Sequence, residues 1–113
     1  MTIEDLKAYG ADTKNGLKRC MNMEAFYLRL VGMIPPDANF ARLFSALDAG
    51  NLAAAFEAAH ALKGSTGNLS LTPLFEPLSE ITEQLRARKE MDYTPLAAQI
   101  KSALADLTKI CNG

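Results

Sequence analysis

An all-α fold, an antiparallel up-down four-helix bundle with extra short N-terminal helices, is what this 113-residue sequence predicts. Three observations carry that expectation. Ala and Leu together supply 34 residues against six for Val and Ile, and a chain so poor in β-branched side chains favours helices over strands. Apolar residues recur at three- and four-residue intervals in successive segments, and residues that start or stop helices stand between them. The connections among the last four segments are short, which makes sequential neighbours antiparallel.

The first element is a short helix over Ile3 to Tyr9, with Thr2 as its cap, Asp5 completing a capping box and Gly10 suited to a left-handed end. A second short helix starts at Thr13, and Asn15-Gly16 keeps it from being long. Asn22 then precedes a run in which Phe26, Leu30 and Met33 share a face, stopped or kinked by Pro35-Pro36. From Asp37 to Ala49, Phe40, Leu43, Phe44 and Leu47 form the next stripe, and Gly50 closes it. Asn51 opens an Ala-rich helix from Leu52 to about Gly67, with Leu52, Ala55, Phe56, Ala59, Leu62 and Thr66 on one side. A turn through Asn68 to Leu71 leads to Thr72-Pro73, a cap followed by a first-turn proline. Leu74, Leu78, Ile81 and Leu85 follow at helical spacing, with Pro77 expected to bend the first turns. Thr94-Pro95 repeats the start signal for a last helix carrying Leu96, Ile100, Leu104 and Leu107.

Composition narrows the function. Hydrophobic residues make up 49% and charged residues 22%, close to globular averages, so residues 1–113 read as one folded domain rather than a disordered tail or a membrane-spanning chain. Twelve Lys+Arg against 13 Asp+Glu give a net charge of −1, with no basic footprint for nucleic acid or an anionic membrane. Cys20 and Cys111 are too few for a disulfide scaffold or a Cys-based zinc site, and the N-terminus has no signal pattern, so a reducing cytoplasm is the expected location. Each bundle helix has one apolar face to bury within the bundle, so a monomer is expected.

The single histidine, His60, lies in the Ala-rich helix about 100° from the centre of its apolar stripe, at the border of core and solvent. Within about 60° of it on the same wheel stand Ala53, Phe56, Glu57, Lys63, Gly64 and Gly67. Glycine within a helix costs about 1 kcal/mol relative to alanine, so Gly64 and Gly67 need a reason. One reason is access to the imidazole; the other is that Gly64 marks a helix end or a close crossing. Lys63, three residues after His60, can bring an ammonium beside whatever approaches the ring, or can be an ordinary solvated lysine.

These residues belong to the string AHALKGSTGNLSLTPL, Ala59 to Leu74, which resembles the signature of histidine-containing phosphotransfer (HPt) domains, the shuttles of multistep bacterial phosphorelays. The family pattern is a helical His, a hydrophobic residue, Lys-Gly-Ser, then Asn-Leu-Gly; here His60, Leu62, Lys63, Gly64, Ser65, Asn68 and Leu69 match, and Ser70 departs from the last glycine. The resemblance implies that His60 accepts a phosphoryl group from an aspartyl phosphate on a receiver domain and passes it to another receiver. It further implies that the ring nitrogen farther from the backbone reacts, and that Lys63 offsets phosphoryl charge. Receiver domains of response regulators are then the partners, with a hybrid histidine kinase as a further candidate. Gly64, Ala53, Glu57, Ser65, Gly67 and Asn68 surround the ring in this reading, and Thr82 and Arg86 of the next helix face it by family analogy.

No nucleotide-binding loop and no acidic cluster placed for Mg²⁺ occurs in the sequence. No cofactor is therefore expected on this chain; Mg²⁺ would sit on the receiver, and the protein would be a carrier without autonomous kinase activity. A competing reading is a helical adaptor that binds receivers or other signalling proteins without being phosphorylated. A hydrolase using His60 as general base is a third, but no Ser or Cys nucleophile shares the His60 face.

Overall fold

The computed structural model describes residues 1–113 and is entirely helical. Seven helices follow one another: α1 (Ile3–Tyr9), α2 (Thr13–Arg19), α3 (Glu24–Gly32), α4 (Ala38–Asp48), α5 (Leu52–Asn68), α6 (Thr72–Arg86) and α7 (Thr94–Asn112). No helix is long and apolar enough to cross a membrane.

Capping side chains set most of the starts. Thr2 and Asp5 form a reciprocal capping box, with the Asp5 amide donating to Thr2 Oγ1 at 3.1 Å and the Thr2 amide donating to Asp5 Oδ2 at 2.9 Å. Gly10 ends α1 at φ 109°, a left-handed turn that glycine adopts without strain. Asp12, Asp37 and Asn51 accept from the first-turn amides of α2, α4 and α5. The two Thr-Pro signals mark the right places with a different chemistry. Thr72 and Thr94 are the first helical residues, not the caps; Leu71 and Tyr93 hold the cap positions, and the amide of Thr94 donates to Asp92 Oδ1 at 2.9 Å.

Helices α4 to α7 form the bundle. Helix α5 packs between α4 and α6, and α6 packs on α7. The C-terminal end of α4 and the N-terminal end of α7 line a common recess, and Lys101 of α7 lies 4.8 Å from the Phe44 ring centroid of α4, which closes the four-helix arrangement. One apolar cluster runs from Leu6 to Leu107 and includes the full α6 stripe of Leu74, Leu78, Ile81 and Leu85. In α7, Ala103 is buried with Leu96, Ile100 and Leu107, while Leu104 packs at the margin. Pro77 is buried inside α6, which continues past it to Arg86. The N-terminal helices are tied on by specific bonds. Tyr9 Oη donates to the Ala103 carbonyl at 2.9 Å, and the Asp12 amide donates to the Ser70 carbonyl at 3.0 Å.

The expected face of α3 is also overturned. Helix α3 begins at Glu24 rather than beside Asn22, because Met21 and Asn22 both take left-handed φ values of 57° and turn the chain first. Its buried face is Tyr27 and Val31, continued by Ile34, while Phe26 and Met33 face solvent, Met33 at 63% exposure. The physical reason lies in α2. Gly16 leaves a notch in which the Tyr27 ring sits so close that a Cβ there would stand 2.6 Å from Tyr27 Cε1. The ring passes through that notch, and its hydroxyl donates to the Leu69 carbonyl at 2.8 Å, fastening α3 to the end of α5.

Burial pushes the Tyr27 phenol up to about 12 from its ordinary 10, and the neighbouring Cys20 and Asp12 add to the shift. A raised folded-state value means that the neutral phenol stabilises the fold fully below pH 10, and that this contribution is lost as pH rises from about 10 towards 12. Denaturant unfolding at stepped pH should therefore show wild type weakening above pH 10. Tyr27→Phe should already be about 1–3 kcal/mol less stable at neutral pH, having orphaned the Leu69 carbonyl, and should weaken less on further alkalinisation. Parallel pH profiles for the two proteins would contradict this role.

Candidate functional site

Helix α5 is long, and its apolar set is mostly alanine, so it can be held closely on two sides by α4 and α6 while a third side stays open. Its buried residues are Ala55, Ala58, Ala59, Leu62 and Thr66. Thr66 is accommodated by donating its hydroxyl to the Leu62 carbonyl at 2.7 Å. His60 emerges on the open side and is exposed. Its ring stacks on Phe56 one turn earlier, with centroids 5.4 Å apart and planes inclined by 21°. That stack orients the imidazole, because α6 sends no hydrogen bond to it. Thr82 is fully buried and donates to the Leu78 carbonyl of its own helix at 2.6 Å, so the expectation that Thr82 borders the ring is corrected.

His60, Lys63, Gly64, Gly67 and Asn68 line one open recess of about 320 Å³, together with Arg19 of α2 and Phe75 of α6. The two glycines do different jobs. The helix runs through Gly64 to Asn68, and nothing lies within 4 Å of where a Gly64 Cβ would be, so Gly64 marks neither a helix end nor a crossing. It leaves open space beside the ring. Gly67 is instead required by Phe75, whose Cε1 would meet an added Cβ at 2.9 Å. Access explains the first glycine and close packing the second.

Cations gather around this face. Lys63 Nζ stands 3.5 Å from Glu83 Oε1 on α6, and Arg86 Nε stands 3.4 Å from Glu83 Oε2. The Arg86 guanidinium lies 5.0 Å from the Phe56 centroid, and Arg88 lies 5.4 Å from it. Arg19 Nη1 donates to the Gly67 carbonyl at 3.3 Å, as suits a cation at the negative end of a helix. Of the other residues expected near the ring, Ala53 is exposed on the same side two turns earlier, and Ser65 turns its hydroxyl onto the Leu62 carbonyl at 3.2 Å. Glu57 lines a separate groove between α4 and α5 with Arg42 and Asn39. Ser70, where the signature carries glycine, adopts φ 54°, a conformation glycine takes freely.

Arg19, Phe75 and Glu83 were not legible as site residues in the sequence. Arg19 and Phe75 lie on other helices, and the only available cue for Glu83 was its place between Thr82 and Arg86 on the neighbouring helix. No group of three or more His, Cys, Asp or Glu side chains is placed to hold a metal ion. The arrangement thus offers one exposed imidazole, free space in front of it, and basic side chains at its edge.

Compared with known proteins, the chain matches the family model described as Hpt domain over residues 37–109, from the cap of α4 into the last turns of α7. No curated protein and no solved structure matches it.

The division of labour between the glycines is testable by thermal and denaturant unfolding. Gly64→Ala should gain up to about 1 kcal/mol from helix propensity, since the new methyl meets nothing. Gly67→Ala should gain less or lose, because the Phe75 ring must swing aside, and Phe75→Ala should recover the difference. Equal gains at both positions would refute the distinction.

Proposed function

The chain belongs to the Hpt domain family, whose members are histidine phosphotransfer modules of phosphorelays and carriers rather than catalysts, and on that premise we propose that His60 is its phosphoacceptor. The observation that supports this reading best is the combination of an exposed imidazole with open space at Gly64, one turn further along α5. No side chain fills the space at Gly64 through which a receiver's aspartyl phosphate would reach the ring.

In the step proposed, a neutral imidazole nitrogen attacks phosphorus in line with the acyl oxygen. The N–P bond forms as the P–O bond to aspartate breaks, and the electron pair leaves with the aspartate carboxylate. The ring keeps the proton on its other nitrogen and becomes a phosphoimidazolium, so no general base is required. Running the same step backwards onto a second receiver completes the relay. A neutral imidazole keeps one ring nitrogen with a free lone pair, and that nitrogen is the nucleophile. Lys63 stands at the rim to offset charge on the transferring phosphoryl oxygens, where a positioned cation acts with little reorganisation.

Any divalent cation would come with the receiver, whose aspartate it serves, and the nucleotide chemistry would lie upstream in a kinase. The partners proposed are receiver domains and, upstream, a hybrid histidine kinase, in a cytoplasmic setting. His60 is the only histidine, which makes the central assignment simple to test.

His60→Gln should abolish phosphate acceptance from a phosphorylated receiver while leaving the helical signal and melting temperature nearly unchanged, because His60 is exposed. Wild type alone should take no label from ATP with Mg²⁺, and chelation of Mg²⁺ should stop transfer from the receiver. Label retained in His60→Gln would overturn the assignment, and labelling from ATP alone would overturn the carrier role.

A further inference from the structure

The two α5 and α6 cations nearest the His60 face are not free in the unloaded protein. Glu83 holds both, one on each carboxylate oxygen, at 3.5 Å from Lys63 Nζ and 3.4 Å from Arg86 Nε. The contacts form a chain that returns to the histidine: Arg86 covers Phe56, and Phe56 stacks on His60, three residues before Lys63. Glu83 is itself half exposed, and both of its pairings are longer than good hydrogen bonds, so they are weakly held and readily exchanged. The other charged groups near this face are engaged elsewhere. Arg19 is on the Gly67 carbonyl, Arg88 bonds the Leu85 carbonyl while its guanidinium also lies over Phe56, and Glu57 lines the α4–α5 groove.

We propose that Glu83 is a positioning residue for phosphoryl transfer: it occupies Lys63 and Arg86 while His60 is unloaded and is displaced from them by the phosphoryl group of the loaded protein. The proposal deepens the assignment of His60 as phosphoacceptor and rests on it. A carboxylate carries one negative charge on two oxygens, whereas the phosphoryl group carries two on three oxygens, so even beside the positive ring those oxygens compete well for the same cations. Glu83 opposes loading in two ways, by occupying the cations and by repelling the incoming charge. It therefore keeps phosphohistidine a ready donor rather than a trap. Charge is conserved through the step: the receiver's aspartate regains its carboxylate as the N–P bond forms, and Lys63 and Arg86 exchange one anionic partner for another.

The test is the equilibrium partition of label between a receiver domain, charged with radiolabelled acetyl phosphate and Mg²⁺, and each variant of the full chain at matched folding. Glu83→Gln should shift the partition towards the carrier by about two- to five-fold, the range open to exposed ion pairs. Glu83→Asp, which keeps the charge on a shorter arm, should fall between Glu83→Gln and wild type. In a Lys63→Ala background the gain from Glu83→Gln should shrink, which a merely structural role for Glu83 would not produce. An unchanged partition in Glu83→Gln, a shift towards the receiver, or an undiminished gain in Lys63→Ala would overturn the proposal. His60→Gln is run alongside: if it is labelled like wild type, the phosphoacceptor assignment itself fails, a result distinguishable from a failure of Glu83 alone.

Discussion

The close packing of α5 between α4 and α6 is the constraint on which the rest of this molecule depends. Four of its five buried residues are Ala55, Ala58, Ala59 and Leu62, so three of these four apolar side chains are only a methyl group and the flanking helices can approach closely. The bulk needed to fill the core then comes from the neighbours, from Phe40 and Leu43 on α4 and from Leu74, Leu78, Ile81 and Leu85 on α6. A helix clamped on two sides is rigid enough to afford an unprotected third side. His60 and Gly64 occupy that side and Gly67 lies against Phe75 at its edge; two interior glycines are tolerable because tertiary packing, not intrinsic propensity, holds the helix.

The far end of α5 is secured by groups from outside the bundle. Tyr27 of α3 bonds the Leu69 carbonyl, Arg19 of α2 bonds the Gly67 carbonyl, and the Asp12 amide bonds the Ser70 carbonyl. Carbonyls at and just past a helix C-terminus lack helical partners, and here three donors from the N-terminal segment join the turn bond from the Ser70 amide to the Gly67 carbonyl. The short N-terminal helices are thus part of the site's support: they fix the last turn of α5, which with α6 shapes the recess beside His60.

Most of this architecture was legible in the residues. The capping box of Thr2 and Asp5, the starts at Asp37 and Asn51, and the stripe of α6 all follow from local chemistry and hold in the structure. The α3 face was not legible, for a definite reason. Phe26, Leu30 and Met33 keep helical spacing, but so do Tyr27, Val31 and Ile34 one position later, and periodicity cannot choose between two apolar stripes on one helix. The choice is made by Gly16, whose missing side chain admits the Tyr27 ring, a contact across eleven residues that no single-helix pattern contains. The site divides the same way. His60, Lys63 and Gly64 share one helix and one motif and could be read together; Arg19 and Phe75 reach the recess, and Glu83 reaches Lys63 at its rim, only through packing. Thr82 was misplaced because nomination by helix order ignores which side of α6 faces inward.

The central claim, that the open side of α5 exists to present His60 for phosphorylation, is tested most directly by ³¹P NMR of the folded wild-type protein after incubation with a phosphorylated receiver. The account predicts one new resonance in the phosphoramidate range, stable in base and lost in acid, coupled through the ring protons to the one histidine of the sequence. A folded protein that binds the receiver, lets its aspartyl phosphate decay only to inorganic phosphate, and never shows that resonance would contradict it.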